Sequence, residues 1–316
     1  MPLFETISVD IDSLRPLVDK HWGVEIGDVI KMSQNHTYMA KNENGERVIL
    51  RITPDPKKVR RDSTDLEVKF LEYLNDRKLP VCVPIKSKVT NEAMLVVDNN
   101  ILCLFTYATG EPVVYTEWKW LAKEIVVGVG KWFGLLHKYS QEFSKQHPEL
   151  VAKARHWKTL HDSILAEVVV DERDNATVGD AQHYGLIHGD VNPSNYFWDA
   201  SLGMPSMFDW DQMQSCWLLY DLSAPIWGVY VLEKRGNNGE PVPSAVVENY
   251  TNWLLEGYEP TLGTTVDRDA LKRMVGIRRE LYLRFCTRAV TEMEDKTSPM
   301  AVFCQSMVDF FSNPNN

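Results

Sequence analysis

The chain has 316 residues, enough to bury one large core or two lobes, and its 44% apolar and 25% charged content are those of an ordinary globular protein. A formal net charge of -10 argues against a nucleic-acid or anionic-membrane surface and suits cationic ligands. Five cysteines stand singly with no Cys-x-x-Cys pair, which argues against a zinc ribbon or a thioredoxin-like motif and suits reduced thiols in the cytoplasm.

The opening "MPLFETISVDID" carries acids where a signal peptide would carry a basic start, and no apolar run approaches the ~20 residues of a membrane span. "KMSQNHTYMAKNENGERVILRITP" predicts two short strands around Asn44-Gly45, a hairpin signal because both residues tolerate positive φ. Val48 to Ile52 reads as a strand that Pro54 and Pro56 end. In "STDLEVKFLEYLNDRKLP", Leu66, Phe70, Leu71 and Leu74 fall at helical spacing, with Ser63 or Thr64 as N-cap. "AMLVVDNNILCLFTY" predicts a second hairpin turning at Asn99-Asn100.

Residues 1–107 therefore read as a small α+β lobe, and "ATGEP" opens a linker over 108–115. From 116 to 316 helix signals dominate, over Glu117 to Ser140, Val151 to Val170, Ser244 to Tyr258 and Arg268 to Met293, with an exposed loop at Glu233 to Pro243. Two short apolar runs ending in carboxylates interrupt them, "LIHGDVNPSNYFWD" and "MPSMFDWD".

Those two runs carry the chemistry. Asp190 follows His188 by two residues, Asn195 follows Asp190 by five, and Asp209 ends the second run. An amide oxygen and a carboxylate are hard donors suited to Mg²⁺, which keeps waters and shares its coordination with substrate phosphates. Asp190 is then free to orient a substrate hydroxyl and accept its proton. Each feature also has a plain reading: a turn at His188 to Asp190, a turn cap at Asn195, a solvated strand end at Asp209.

The spacing matches the H-R-D-x-x-x-x-N and D-F-G signatures of protein kinases, but here His-Gly-Asp replaces His-Arg-Asp and Asp209-Trp210-Asp211 replaces Asp-Phe-Gly. With "YDLS" at Tyr220 to Ser223, "VGKWFGLLHKYS" and "WLLEGYEP", the chain resembles the aminoglycoside phosphotransferase and choline kinase-like family. The resemblance implies a two-lobe protein-kinase-like fold, with a small antiparallel-sheet N-lobe and a larger, mainly helical C-lobe. It implies ATP and Mg²⁺ as cofactors and a small-molecule hydroxyl acceptor as partner, with no nucleic acid and no membrane. Asp190 becomes the catalytic residue, Asn195 and Asp209 the metal ligands, and His188 and Asp221 structural supports.

The N-lobe would supply the nucleotide site. Arg51 stands where kinases carry a phosphate-pairing Lys, and Glu67 would be its ion-pair partner; the plain alternative is a surface pair worth little. The phosphate loop would be "KMSQNHTYMA", which has no Gly, so Asn35 would supply a side-chain contact. Backbone groups of Thr106 and Tyr107 would meet the adenine edge. Asp211 has no counterpart in Asp-Phe-Gly and would face a metal-bound water or a substrate amine.

His137 reads as a packed or capping histidine. Among the tryptophans, Trp118, Trp120 and Trp227 are candidates to stack on a ligand, and an aminated acceptor would meet Glu256, Glu259 or Glu280. The expected activity is transfer of the ATP γ-phosphoryl group to a hydroxyl of a polar metabolite or antibiotic. The Gly-free loop and Arg51 favour a nucleotide-binding pseudokinase as the alternative. The lack of an Ala-Pro-Glu segment after Asp209 disfavours a Ser/Thr protein kinase.

Overall fold

The Asp10 carboxylate accepts the Ser13 N–H and Gly23, at φ 66°, stops the turn that follows; between them lies helix α1, Ile11–Trp22. Leu14, Val18 and Trp22 recur on its buried face. The expectation of strands around one helix omits this element, although its Asp cap, four-residue apolar repeat and Gly stop define it. The computed structural model describes residues 7–114, 117–160, 168–236 and 245–312. The chain divides into two compact units, Met1–Ala108 and Thr109–Asn316.

The first unit is an antiparallel sheet of β1 (Glu25–Met32), β2 (His36–Lys41), β3 (Arg47–Pro54), β4 (Pro84–Ile85), β5 (Met94–Val97) and β6 (Asn100–Thr106). Its order is β1-β2-β3-β6-β4, with β5 also on β6. Tyr38, Ala40, Leu50, Ile52, Leu102 and Leu104 form a core with the apolar face of α1. Because side chains alternate along a strand, Arg51 points to the opposite face. There it meets Glu67 of α2, Arg61–Asp76.

Three local expectations shift. At the β2–β3 turn only Gly45 adopts positive φ, 78°; the Asn42 side chain holds the loop by accepting the Asn44 and Glu46 N–H groups. The second hairpin turns at Asp98-Asn99, one residue early, since Val97 pairs with Asn100 and Asp98 takes φ 51°. Helix α2 starts before Ser63 and Thr64, whose hydroxyls bond back to the Arg60 carbonyl. The Asp55 carboxylate instead accepts the Val59 and Arg60 N–H groups at the helix entrance.

The second unit contains β7 (Glu111–Pro112), α3 (Lys123–Gln146), β8 (Tyr184–Ile187), β9 (Tyr196–Asp199), β10 (Met204–Met207) and β11 (Gln214–Trp217). Helices α4 (Leu218–Arg235), α5 (Val246–Leu262), α6 (Arg268–Glu292) and α7 (Pro299–Ser312) follow. Strands β9 and β10 form a hairpin with β7 on its edge, and β8 pairs with β11. Helices α3 and α5 touch through glycines. A Cβ on Gly130 would lie 2.0 Å from the Leu254 carbonyl oxygen, and one on Gly257 would lie 2.0 Å from that of Val127.

Helix α3 begins at Lys123 rather than Glu117, after a short 3-10 turn at Lys119–Leu121. In place of one helix over Val151 to Val170 there are short turns at Pro148–Val151 and Trp157–Leu160, while residues 161–167 lie outside the described residues. Glu233 to Arg235 finish α4 instead of opening a loop; residues 237–244 lie outside the described residues. Strand β11 and helices α4 and α7 are additions to the expected elements. Among the described residues, no helix is long and apolar enough to cross a membrane.

Candidate active site

Strand β8 is buried at every position and delivers the chain into His188-Gly189-Asp190. Gly189 sits at φ 86°, and a Cβ there would lie 2.4 Å from the Gln212 carbonyl oxygen. Only glycine fits, which accounts for the Gly of the His-Gly-Asp triplet. The turn is held from outside by Asp221, in the first turn of α4. Its carboxylate accepts the His188 N–H at 3.0 Å and the Gly189 N–H at 2.8 Å.

Asp221 is fully buried. Burial alone would push its carboxyl up, but His137, His188 and the Gly189 N–H together outweigh that and hold it below the ordinary carboxylate value. His137 Nε2 lies 3.2 Å from Asp221 Oδ2, and its Nδ1 lies 2.8 Å from the Tyr258 hydroxyl. Desolvation raises the Tyr258 phenol well above its ordinary value, so that hydroxyl stays protonated beside Nδ1. A chain therefore runs from α5 through α3 and α4 to the loop: Tyr258, His137, Asp221, then the His188-Gly189 backbone.

His188 is likewise buried. Its Nε2–H donates to the Phe208 carbonyl at 3.1 Å while Nδ1 accepts the Asp190 N–H at 3.3 Å. Trp210 packs on its ring with centroids 4.6 Å apart. The imidazole thus ties the turn to the strand end that carries Asp209.

Asn195 donates Nδ2–H to the Asp190 carbonyl at 2.9 Å and to its carboxylate at 3.2 Å. Asn192 adds a bond from Nδ2 to the same carbonyl at 3.2 Å. The Phe208 N–H donates to the Asn195 carbonyl at 3.0 Å, which extends the β9–β10 register and brings Asp209 beside the loop. Asp209 itself is in the left-handed region at φ 63°, ψ 64°, an uncommon conformation for a residue with a side chain.

Burial is the main cause raising the Asp190 carboxyl above its ordinary value. The Asp209 charge adds to it, and Arg278, His188 and the Asn192 amide oppose it. Asp190, Asn195, Asp209, His188 and Asp221 are thus one cluster. Beside it the Arg155 guanidinium donates to the Asp211 and Met213 carbonyls, which fixes the backbone after Asp209.

In the first unit, Arg51 and Glu67 form a forked pair with both bonds at 2.7 Å. They are 8% and 6% exposed, so the surface-pair alternative does not hold. The Arg51 guanidinium also lies 4.9 Å from the Phe105 ring centroid. Asn35 is buried, and its Oδ1 accepts the Thr53 hydroxyl at 2.8 Å. The Thr106 N–H donates to the Val83 carbonyl and its hydroxyl accepts the Val83 N–H, so the Thr106 N–H is spent inside the unit. Tyr107 stacks under Arg47, whose guanidinium is 4.0 Å from the ring centroid.

Sequence reasoning did not find Arg278, whose charge reaches Asp190 from α6. It also quoted "LLHKY" and "EGYEP" without joining them; His137 and Tyr258 meet only because the glycines let α3 and α5 approach. The three glutamates named for an amine each already have a partner. Glu256 pairs with Lys123 at 2.8 Å, Glu280 with Arg284 at 2.8 Å, and Glu259 accepts the Val266 N–H at 3.0 Å.

A model of the phosphotransferase enzyme family matches residues 31–261. The chain belongs to that family. Amicoumacin kinase of Bacillus subtilis (strain 168) is 23% identical over 216 residues, which cover 62% of this chain and 61% of that protein. A solved amicoumacin kinase in complex with AMP-PNP, Ca²⁺ and Ami superposes with a TM-score of 0.70 at 17% identity, over 95% of this chain and 94% of its own. A microcompartment-associated aminopropanol kinase superposes with a TM-score of 0.61 at 15% identity, over 95% of each chain. The expected α+β, kinase-like fold is the one found, with its antiparallel-sheet N-terminal region and helical C-terminal region.

Proposed function

We propose that this chain is an ATP- and Mg²⁺-dependent kinase of a small hydroxylated molecule. The observation that carries the reading is the loop scaffold. Asp221 and His188 fix the backbone that leads into Asp190, and Asn195 bonds directly to the Asp190 carbonyl and carboxylate. Asp190 orients the acceptor hydroxyl and takes its proton as the acceptor O–P bond forms and the bridging P–O bond to the β-phosphate breaks, releasing ADP.

Asn195 and Asp209 would hold Mg²⁺. The donor set fits: the amide nitrogen of Asn195 is committed to Asp190, which leaves its oxygen, a hard donor, for the ion beside the Asp209 carboxylate. When bound, the ion supplies charge neutralisation for the phosphates. Among the described residues no group of three or more His, Cys, Asp or Glu side chains could hold a metal by itself, which suits an ion shared with phosphates. The solved amicoumacin kinase with AMP-PNP and Ca²⁺ supports the same pairing of nucleotide and divalent cation.

Residues 1–107 would form the nucleotide-binding lobe, 108–115 the linker, and 116–316 the lobe with the catalytic loop and acceptor site. Arg51, oriented by Glu67, would contact ATP phosphates. Tyr107 and the Thr106 carbonyl would meet the adenine. Asn35 would hold its loop through Thr53 and contact nucleotide only from its remaining groups. Asp211 would face a metal-bound water or a substrate amine. The buried, free cysteines support a cytoplasmic location.

ADP release with Mg²⁺ and a panel of amino alcohols, aminoglycosides, macrolides and sugars tests the proposal. Turnover of at least one acceptor is expected. ATP binding with no transfer across the panel would favour the pseudokinase reading.

A further inference from the structure

Beside the loop, α4 and α6 present a run of groups that the mechanism does not use. Arg278 on α6 is half-buried, and its guanidinium lies 4.0 Å from the Tyr220 ring centroid. Its Nε–H donates to the Ser223 hydroxyl and an Nη2–H to the Tyr220 carbonyl, both at a long 3.3 Å. The described residues give it no ion pair and no partner for its other terminal nitrogen.

Two other arginines of the chain are closed by carboxylates. Arg51 has Glu67 and Arg273 has Asp174, each through two bonds of 2.8 Å or less. Asp221, which stands between Tyr220 and Ser223 in the chain, is committed to His137 and the loop backbone.

One turn further along each helix, Trp227 and Tyr282 meet with ring centroids 6.0 Å apart. Trp227 is 4% exposed, and its indole N–H is buried with no hydrogen-bond partner among the described residues. A buried N–H of this kind costs on the order of 1–3 kcal/mol until an acceptor reaches it. Two successive layers of the α4–α6 contact therefore each hold an unspent donor. Both accept nothing, and one is a permanent cation. The ligand group that matches is an oxyanion.

We propose that Arg278, with the Trp227 indole N–H, forms an oxyanion subsite for the acceptor. It would bind a carboxylate or phosphate that the acceptor carries close to its reacting hydroxyl. This rests on the assignment of Asp190 as the group that receives the hydroxyl proton. Arg278 is tied to Tyr220 and Ser223, on either side of Asp221, which holds the turn leading into Asp190. An anion entering beside Asp190 and Asp209 also needs a counter-charge, and the Arg278 charge already reaches Asp190. The commitment of Glu256, Glu259 and Glu280 leaves the opposite preference, for an ammonium group, without a free carboxylate among those three.

The test varies one head group on one skeleton. Glycerate, sn-glycerol 3-phosphate, glycerol and 3-amino-1,2-propanediol are compared as acceptors, with the same four head groups on glucitol. Wild type, Arg278→Gln, Arg278→Lys and Trp227→Phe are assayed for kcat and acceptor KM. In wild type an anionic member is expected to exceed the neutral one by about 10–100-fold in kcat/KM, the reach of one charge-assisted contact. Arg278→Gln should erase that ratio through KM, Arg278→Lys should restore part of it, and Trp227→Phe should lower it a few-fold.

The carboxylate and phosphate arms decide between the two sources of the anion. Equal use of all four head groups, preference for the amine, or an equal loss on all four in Arg278→Gln would overturn the subsite. So would Asp190-dependent ATP hydrolysis with no member accepted, and that result would leave the kinase reading standing. No Asp190-dependent ATP turnover at all would remove the kinase reading and the subsite with it.

Discussion

In the first unit the buried Glu67 carboxylate is matched by a single side chain, Arg51, through two bonds of 2.7 Å. In the second, the buried Asp221 carboxylate is matched by two backbone N–H groups and a histidine. The first is a closed pair of side chains, and such a pair is weak evidence for stability, because desolvation offsets much of the attraction. The second has backbone as its partner, and that backbone leads directly into Asp190. Disturbing Glu67 changes one charge, whereas disturbing Asp221 changes the shape of a loop. The first region should therefore answer in nucleotide use, and the second in turnover and folding.

The largest effect is expected at Asp209. Asp209→Ala should reduce phosphoryl transfer to background while the melting temperature stays near wild type, because the side chain stands at a strand end rather than in the core. Steady-state turnover beside a thermal melt checks this, and normal activity would remove Asp209 from the metal site.

Asp221→Ala should come next, with a loss of about 3–5 kcal/mol of stability, the usual result of removing one member of a buried charge network. The His188 and Gly189 N–H groups would be left without their acceptor. A urea midpoint equal to that of wild type would show that the loop does not depend on the clasp.

Arg51→Ala should raise the KM for ATP by about 10–100-fold, the scale of a charge-assisted phosphate contact. Arg51→Lys should fall between, since charge survives while the fork is lost. An unchanged ATP dependence would leave Arg51 as a partner of Glu67 alone and erase the functional half of the comparison.

The same contrast governs what was legible in the sequence. Arg51 and Glu67 could be paired through the resemblance to kinases, which sets a cation of this strand against a carboxylate of the helix that follows. The order His188, Asp190, Asn195, Asp209 likewise showed a loop and a strand end sharing one region. The His137–Tyr258 contact was not legible. It spans 121 residues and depends on Gly130 and Gly257 letting two helix backbones touch, a three-dimensional fit that no local period encodes.

Helix α1 was legible in principle, from Asp10, Gly23 and the repeat of Leu14, Val18 and Trp22, but its acidic start drew attention to leader signals instead. Ser63 and Thr64 misled for another reason. Their hydroxyls do bond the backbone, but backwards to Arg60, while the Asp55 carboxylate holds the turn just before the helix through the Val59 and Arg60 N–H groups. Arg278 could not be found by motif, because its contacts with Tyr220 and Ser223 join two helices more than fifty residues apart.

The central claim is that Asp190 takes the acceptor proton. Asn at this position keeps the size and most hydrogen bonding but accepts no proton. Nucleotide affinity and single-turnover phosphoryl transfer should be measured side by side for wild type and Asp190→Asn. Affinity should stay within a few-fold of wild type, while transfer falls by about 10²–10⁴, the reach of one general base. Equal transfer by the two proteins would contradict the assignment of His188 to Asn195 as the catalytic loop.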